Sequence, residues 1–397
     1  MKEEKIMEET RFNTRATNLE VPGTRKFSNQ VKQYDDGVDL TLGQSGFETP
    51  EYIREAMIEA INQNKLRYTH NRGLIELREA ISQYNRKRFN VTYDAETEII
   101  VTNGGSEAID SVLRTILEDG DEVIIPCPTY LAYEPITKLQ GAKTVLVDTT
   151  KTNFVLTKEA LVDAITPKTK AIIFNYPTNP TGMIPSLEQM KELVDVLKET
   201  DIFILTDEIY SDNVYGGEFH SFMEFSEVRN QLFVINGLSK SHAITGGRIG
   251  YILAPPLATE HVTKVHLYNS VCVATPSQYG ATAAFTDATG PVILSKMNEA
   301  YKERRDFVYK RLKEMGLSVE SPKGAFYIFP DISEYNNDSF EFATELLEAE
   351  HLAVVPGKTF SIYGEGHIRL SFACTMEELV DGCKRLERFL STYRKRS

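Results

Sequence analysis

Cysteine is scarce in this 397-residue chain. Its four copies, Cys127, Cys272, Cys374 and Cys383, show no CxxC spacing and are too few to staple a chain of this length, so thiols kept reduced are expected rather than a disulfide framework. Basic charge is in deficit: 44 Lys and Arg against 57 Asp and Glu leave a net charge of −13, which gives no cationic field for a phosphate backbone and excludes nucleic acid as an expected partner. No stretch approaches about 18 uninterrupted apolar residues, and the charged start Met1-Lys2-Glu3-Glu4-Lys5 lacks an apolar signal core. A soluble, cytoplasmic chain with no membrane contact is therefore expected. No G-x-G-x-x-G follows a strand-like run, which removes the dinucleotide-binding fingerprint. Internal repeats and low-complexity tracts are also missing.

What is present is an ordinary globular composition, 41% hydrophobic, in a chain long enough for about two domains. Residues 1–48 are polar and irregular and read as an arm lying across the body or a partner subunit, with part of it joining a smaller domain. From there to about 288, short apolar runs alternate with helical stretches: Glu98–Thr102, Glu122–Ile125, Thr144–Val147, Ala171–Phe174, Ile202–Leu205, Leu232–Ile235 and Ile249–Leu253. Continuous apolar runs with helices between them predict an α/β body built on a buried, mostly parallel sheet of seven strands in a three-layer arrangement. A helix-rich stretch from about 290, followed by the strand-like segments 324–329 and 368–372, predicts a second, smaller α+β domain over 289–397.

In such a sheet the ligand lies at the carboxyl ends of the strands, so the polar residues after each run matter most. After the first run comes Asn103-Gly104-Gly105-Ser106-Glu107, where glycines allow close approach and a helix opens; its free amides suit phosphate, or Ser106 simply caps the helix. Tyr130 follows the second run and either stacks on a flat ring or packs in the core. Asn179 stands between Thr178 and Pro180, with Pro177 stiffening the approach, in a position to be aimed at a ligand oxygen. Asp207 ends its run, where burial is costly unless a cation or donor meets it; the alternative is a helix cap. Lys240 sits in Gly237-Leu238-Ser239-Lys240-Ser241-His242, eight residues before Arg248. Schiff-base chemistry near neutral pH needs a lysine pKa depressed by burial or positive charge, and Arg248 is one source of that charge.

Taken in order, Tyr68-Thr69 through Gly73 to Leu77-Arg78, Gly105-Ser106-Glu107, Pro128-Thr129-Tyr130, Asn179-Pro180-Thr181-Gly182, Asp207-Glu208-Ile209-Tyr210, Ser239-Lys240 with Arg248, Gly324-Ala325-Phe326-Tyr327 and Arg369-Leu370-Ser371-Phe372 resemble the fold-type I pyridoxal-phosphate aminotransferases of class I/II from about Phe27 to Phe389. The resemblance implies pyridoxal 5′-phosphate as cofactor, no metal, and amino-group exchange between an amino acid and a 2-oxo acid by a ping-pong route. Lys240 becomes covalent anchor and general base, Asp207 the partner of the pyridine nitrogen, and Asn179 and Tyr210 the partners of the ring hydroxyl oxygen. Gly105, Ser106, Glu107 (by backbone or side chain), Ser239 and Arg248 fall to the phosphate, and Tyr130 to the ring face. Tyr68 reaches the partner subunit's phosphate, which implies a homodimer with shared sites. Arg369 clamps the substrate α-carboxylate, with Gly43 contributing a backbone contact.

Four positions depart from the pattern. Gly247 stands where relatives carry a bulky aromatic, an expected opening in the packing; Gln44-Ser45-Gly46 replaces a frequent Pro-Asp; Tyr176 replaces an asparagine; and Gly237 occupies a position where relatives use a phosphate-binding serine. Within the family, Arg25–Asn29, Asn236–His242 and Tyr363–Gly366 resemble the bacterial aminotransferase A branch, which implies N-acetyl-diaminopimelate of lysine biosynthesis, or aromatic or acidic donors. Arg114, about two turns beyond Ser106, is either an exposed helix arginine or the partner of a second substrate carboxylate. A carbon–sulfur β-lyase shares most of this site, and a non-catalytic cofactor-binding protein is the reading from another class.

Overall fold

The computed structural model describes residues 11–19 and 23–393, so parts of the expected arm, residues 1–10 and 20–22, lie outside the described residues. Seven strands form the main sheet: β1 (Ile99–Asn103), β2 (Glu122–Cys127), β3 (Lys143–Asp148), β4 (Thr169–Asn175), β5 (Phe203–Asp207), β6 (Leu232–Gly237) and β7 (Ile249–Leu253). Their spatial order is β1-β7-β6-β5-β4-β2-β3. β7 alone pairs antiparallel, with β1 on one side and β6 on the other, while β3, β2, β4, β5 and β6 pair in parallel. The central strands are buried on both faces, which is why their sequences are apolar without alternation. Most of them run a residue or two further than the apolar runs, carrying Asn175, Asp207 and Gly237 inside the sheet's last hydrogen-bonded positions.

Two apolar clusters sandwich this sheet. One, including Ile53, Leu77, Phe174 and Leu193, lies on one face; the other, including Ile109, Val112, Leu113 and Tyr133, lies on the opposite face under the helix Gly105–Ile116. A further cluster joins Phe27, Val31, Val38 and Leu40 to Phe326, Phe342, Leu370 and Phe389. There a three-stranded antiparallel sheet, in the order β9-β10-β8, is formed by β8 (Tyr327–Ile328), β9 (Val355–Pro356) and β10 (Ile368–Ser371), and it packs with the 25-residue helix Gly290–Glu314 and with Met376–Thr392. The arm is less irregular than its polarity suggests: the helix Gly23–Gln30 runs into the 3-10 turn Val31–Gln33, burying Phe27 of the one and Val31 of the other in the same cluster, and Val38–Asp39 pairs in parallel with Leu352–Ala353. Among the described residues no helix is long and apolar enough to cross a membrane.

Candidate active site

A cavity of about 580 Å³ opens where β1, β4, β5 and β6 end. Lys240, Asp207, Asn179, Tyr210, Arg248, Arg369, Ser239, Tyr130, Gly105, Ser106 and Gly43 all line it. Residues separated by up to some three hundred positions in sequence thus share one space, because the strands that carry them are neighbours and Arg369 is delivered by β10 from the other side.

The floor is Asp207. It is buried at the end of β5, where Tyr133 Oη donates to its Oδ2 at 2.7 Å and the Ile209 amide donates to Oδ1 at 3.2 Å. No helix follows it, so the helix-cap reading does not apply. Burial outweighs these donors and raises its pKa to about 6. Such a carboxylate gains from any cation brought against it. Asn175 braces the same corner: its Nδ2 donates to the Asp207 carbonyl at 3.1 Å, and its Oδ1 accepts from the Asn179 amide at 2.9 Å.

Lys240 projects from the one-turn helix Leu238–Ser241 that follows β6. Its Nζ donates to the Gly43 carbonyl at 2.5 Å and lies 5.9 Å from the Tyr210 ring centre. Burial, with the charges of Arg369 and Arg248 against the opposing pull of Asp207, lowers its pKa to about 8. That places a free amine within reach at ordinary pH. Arg369 is buried, donating from Nη1 to Asn179 Oδ1 at 2.9 Å and from Nη2 to the Thr41 carbonyl at 2.6 Å, with its guanidinium 4.2 Å from the Tyr327 ring centre. Its Nε is buried without a partner. Both acceptors are neutral, so the guanidinium keeps its charge for an anion brought into the cavity it lines.

At the far end Gly104 precedes the helix Gly105–Ile116 as its N-cap, so Ser106 is not the capping residue. Arg248, with a φ of 51°, reaches back over this terminus, its Nη2 3.3 Å from the Asn103 carbonyl. Any side chain at Gly104 would meet that guanidinium at 2.5 Å. Gly250 packs equally closely: a Cβ there would lie 2.5 Å from Gly104 C and 2.6 Å from Gly105 N. Gly237, paired with Gly250 across β6 and β7, would put a Cβ 2.6 Å from the Ile249 carbonyl oxygen, so a serine in its place has no room in this backbone. The expected opening at Gly247 is filled, because the Ile244 side chain occupies the space its Cβ would take.

Three further residues singled out in the sequence lie away from the cavity or turn from it. The Glu107 carboxylate turns away from the cavity, held by the Asn103 amide at 2.8 Å, by Ser111 Oγ at 2.9 Å and by His266, so only its backbone remains for an anion. Tyr68 does not line the cavity of its own chain and is 82% exposed. Arg114 is an exposed helix arginine, its Nε 2.7 Å from Asp110. Sequence reading missed Tyr133, Asn175, Thr41 and Tyr327 as site residues. Asn175 had a signal, since it ends a buried run; Thr41 and Tyr327 arrive from outside the sheet and had none at strand ends.

An anion cradle of helix amides and arginine at one end, a buried carboxylate on the floor and a depressed-pKa lysine fit the phosphate, pyridinium and aldehyde of pyridoxal 5′-phosphate, and the buried arginine at the other end suits the carboxylate of a substrate. Such a set suits a phosphorylated aldehyde cofactor. The family model for aminotransferases of class I and II matches residues 35–386, and the chain belongs to that family. It is 48% identical over 379 residues, 96% of this chain and 95% of the relative, to the probable N-acetyl-LL-diaminopimelate aminotransferase of Bacillus subtilis. Aromatic-amino-acid aminotransferase 2 of Thermococcus litoralis is 37% identical over 92% of this chain and 95% of its own length. The structure of aspartate aminotransferase from Thermus thermophilus with maleate matches at a TM-score of 0.91 and 33% identity, covering 95% of this chain and 99% of that one. The protein is a pyridoxal-phosphate-dependent aminotransferase of fold type I, acting on an amino acid and a 2-oxo acid.

Proposed function

We propose that Lys240 is the covalent anchor and proton carrier of this aminotransferase and that Arg369 holds the substrate carboxylate. The observation that carries the reading is the pairing of a lysine amine of lowered pKa with a buried arginine held by neutral acceptors, both lining one cavity. When bound, the cofactor supplies an electron sink for the charge that develops at the substrate Cα. Asp207 faces the pyridinium and keeps its proton in place. Asn179 and Tyr210 serve the ring hydroxyl oxygen, Tyr130 covers a ring face, and Gly105, Ser106, Ser239 and Arg248 hold the phosphate. Arg369 fixes the carboxylate by its planar fork, with the Gly43 backbone beside it, so that the Cα–H lies toward Lys240. The Lys240 amine, displaced by the substrate, would take and carry the proton of the substrate Cα. Purified Lys240→Ala should lose the visible absorbance of lysine-bound cofactor; an unchanged spectrum would overturn the assignment.

For the donor, we favour an N-acetyl-diaminopimelate-like amino acid over aspartate. Support comes from the 48% identical relative and from Ser28, Asn29 and Gln44, neutral hydrogen-bonding side chains along the cavity that suit an amide. Half-reactions with N-acetyl-LL-diaminopimelate, aspartate and phenylalanine, followed by the cofactor's spectral change, rank them; fastest turnover of aspartate refutes this choice. We place the enzyme in the cytoplasm as a homodimer, with residues 49–288 as cofactor-binding body and 289–397, joined by the arm, as the smaller one. Exposed Leu66, Tyr68, Tyr268 and Val271 support a mate of the same chain, with Tyr68 entering the partner's phosphate site. Light scattering at one-chain mass would exclude it.

A further inference from the structure

His266 is fully buried beneath the anion cradle and takes no part in the cavity itself. Its Nδ1 lies 2.8 Å from Glu107 Oε1, and its Nε2 lies 2.9 Å from the Asn71 carbonyl oxygen. Glu107 is the third residue of the helix Gly105–Ile116, and its other oxygen accepts from the Asn103 amide at 2.8 Å, a back-bond of the capping-box kind displaced by one residue. The carbonyl of that same Asn103 is the acceptor for Arg248 Nη2. A continuous chain of contacts therefore runs from Asn71, through His266, Glu107 and the Asn103 backbone, to the cradle's arginine.

Both ring nitrogens of His266 face oxygens, and one of these, the Asn71 carbonyl, can only accept. Glu107 receives two further donors, from Asn103 and Ser111. A ring donating from both nitrogens meets the Asn71 carbonyl and the Glu107 carboxylate together. A bare carboxylate in the first turn below a phosphate would repel it. We infer that His266 is a positioning residue for the cofactor: it neutralises Glu107 under the phosphate cradle and, through Glu107, fixes the backbone of Asn103, whose carbonyl meets Arg248. The same contact ties Asn71, three residues from Tyr68, to that cradle. This inference rests on the phosphate assignment proposed above for Gly105, Ser106 and Arg248.

The test compares apoenzyme affinity for pyridoxal 5′-phosphate with that for pyridoxal, which lacks the phosphate, both read by the visible band of the lysine-bound form. His266→Gln should lose roughly tenfold of the preference for the phosphorylated form while its affinity for pyridoxal holds, a difference that general loosening of the fold would not produce. Glu107→Gln removes the charge but keeps an acceptor for Asn103, so combined with His266→Gln it should recover most of that variant's loss. An unchanged preference in His266→Gln, or no recovery in the double variant, overturns the role. Should His266→Gln not fold, nitrogen-15 spectra of labelled histidine in the wild-type holoenzyme decide: a doubly protonated His266 ring supports the inference, and a neutral ring overturns it. Absence of any preference for the phosphorylated form in the wild type would instead sink the phosphate assignment.

Discussion

Gly250→Ala should separate cofactor retention from folding. At this position β7 presses against the start of the cradle helix, and an added methyl would lie 2.5 Å from Gly104 C and 2.6 Å from Gly105 N, nearly 1 Å inside the 3.4 Å at which ordinary contact begins. Both obstacles are backbone, and Gly250 is itself held in register opposite Thr102 and Gly237. No flexible side chain can yield, so the helix terminus must move. Overpacking of this kind costs roughly 1–3 kcal/mol in stability. The larger effect falls on phosphate binding, since moving fixed amide donors by a fraction of an ångström to 1 Å weakens what they hold by roughly 10- to 100-fold. Gly246→Ala is the control: nothing lies within 4 Å of its Cβ, so stability should stay within about 0.5 kcal/mol. Urea unfolding of the apoenzyme gives the first quantity and cofactor titration the second. Wild-type values for both in Gly250→Ala would refute the claim that glycine contact builds the cradle.

Cofactor capture by the apoenzyme needs the unprotonated Lys240 amine, so its rate should rise with pH through about 8 and level off above; a midpoint near the ordinary 10.5 in stopped-flow traces would contradict the lowered pKa. Asp207 titrates higher in the folded apoenzyme, at about 6, than its ordinary 3.8, so folding takes up its proton and this group's contribution to stability rises as pH falls from 6 toward 4. Asp207→Asn should abolish that dependence and stabilise the apoenzyme at pH 8 by up to roughly 3 kcal/mol, while lowering kcat at least about a hundredfold. Unfolding curves at the two pH values, beside steady-state rates, check both signs. Arg369→Lys removes the contacts to Asn179 and Thr41 together with the planar fork, and KM for amino and oxo acid should rise at least about tenfold; an unchanged KM would disprove its role as clamp.

The seven strands were legible because each is an apolar run bounded by turn residues, and the helices between them impose a parallel sheet. Strand order was not, since nothing local says that β7 inserts between β1 and β6 or that its direction reverses. The arm's helix and the 3-10 turn after it were missed because only Phe27 and Val31 carry their pattern, and their burial depends on strands more than three hundred residues away. Gly237 and Gly247 read as departures that weaken the site; in space one is required by a neighbouring strand and the other is filled by Ile244. Glu107 read as a cofactor ligand because its place in the helix is right, yet its carboxylate is drawn off by His266, 159 positions along the chain.

By itself the sequence determined the chemistry that the protein can perform, because lysine, aspartate, asparagine and arginine after buried runs are set by residue identity and by the rule that strand ends meet ligands. Tertiary structure alone decided how those groups are tuned. The lowered pKa of Lys240 comes from its burial and from Arg369, 129 residues on, and the raised pKa of Asp207 from burial that the Tyr133 hydroxyl only partly offsets. Desolvation and through-space charge depend on distance, and distance exists only once the chain has folded.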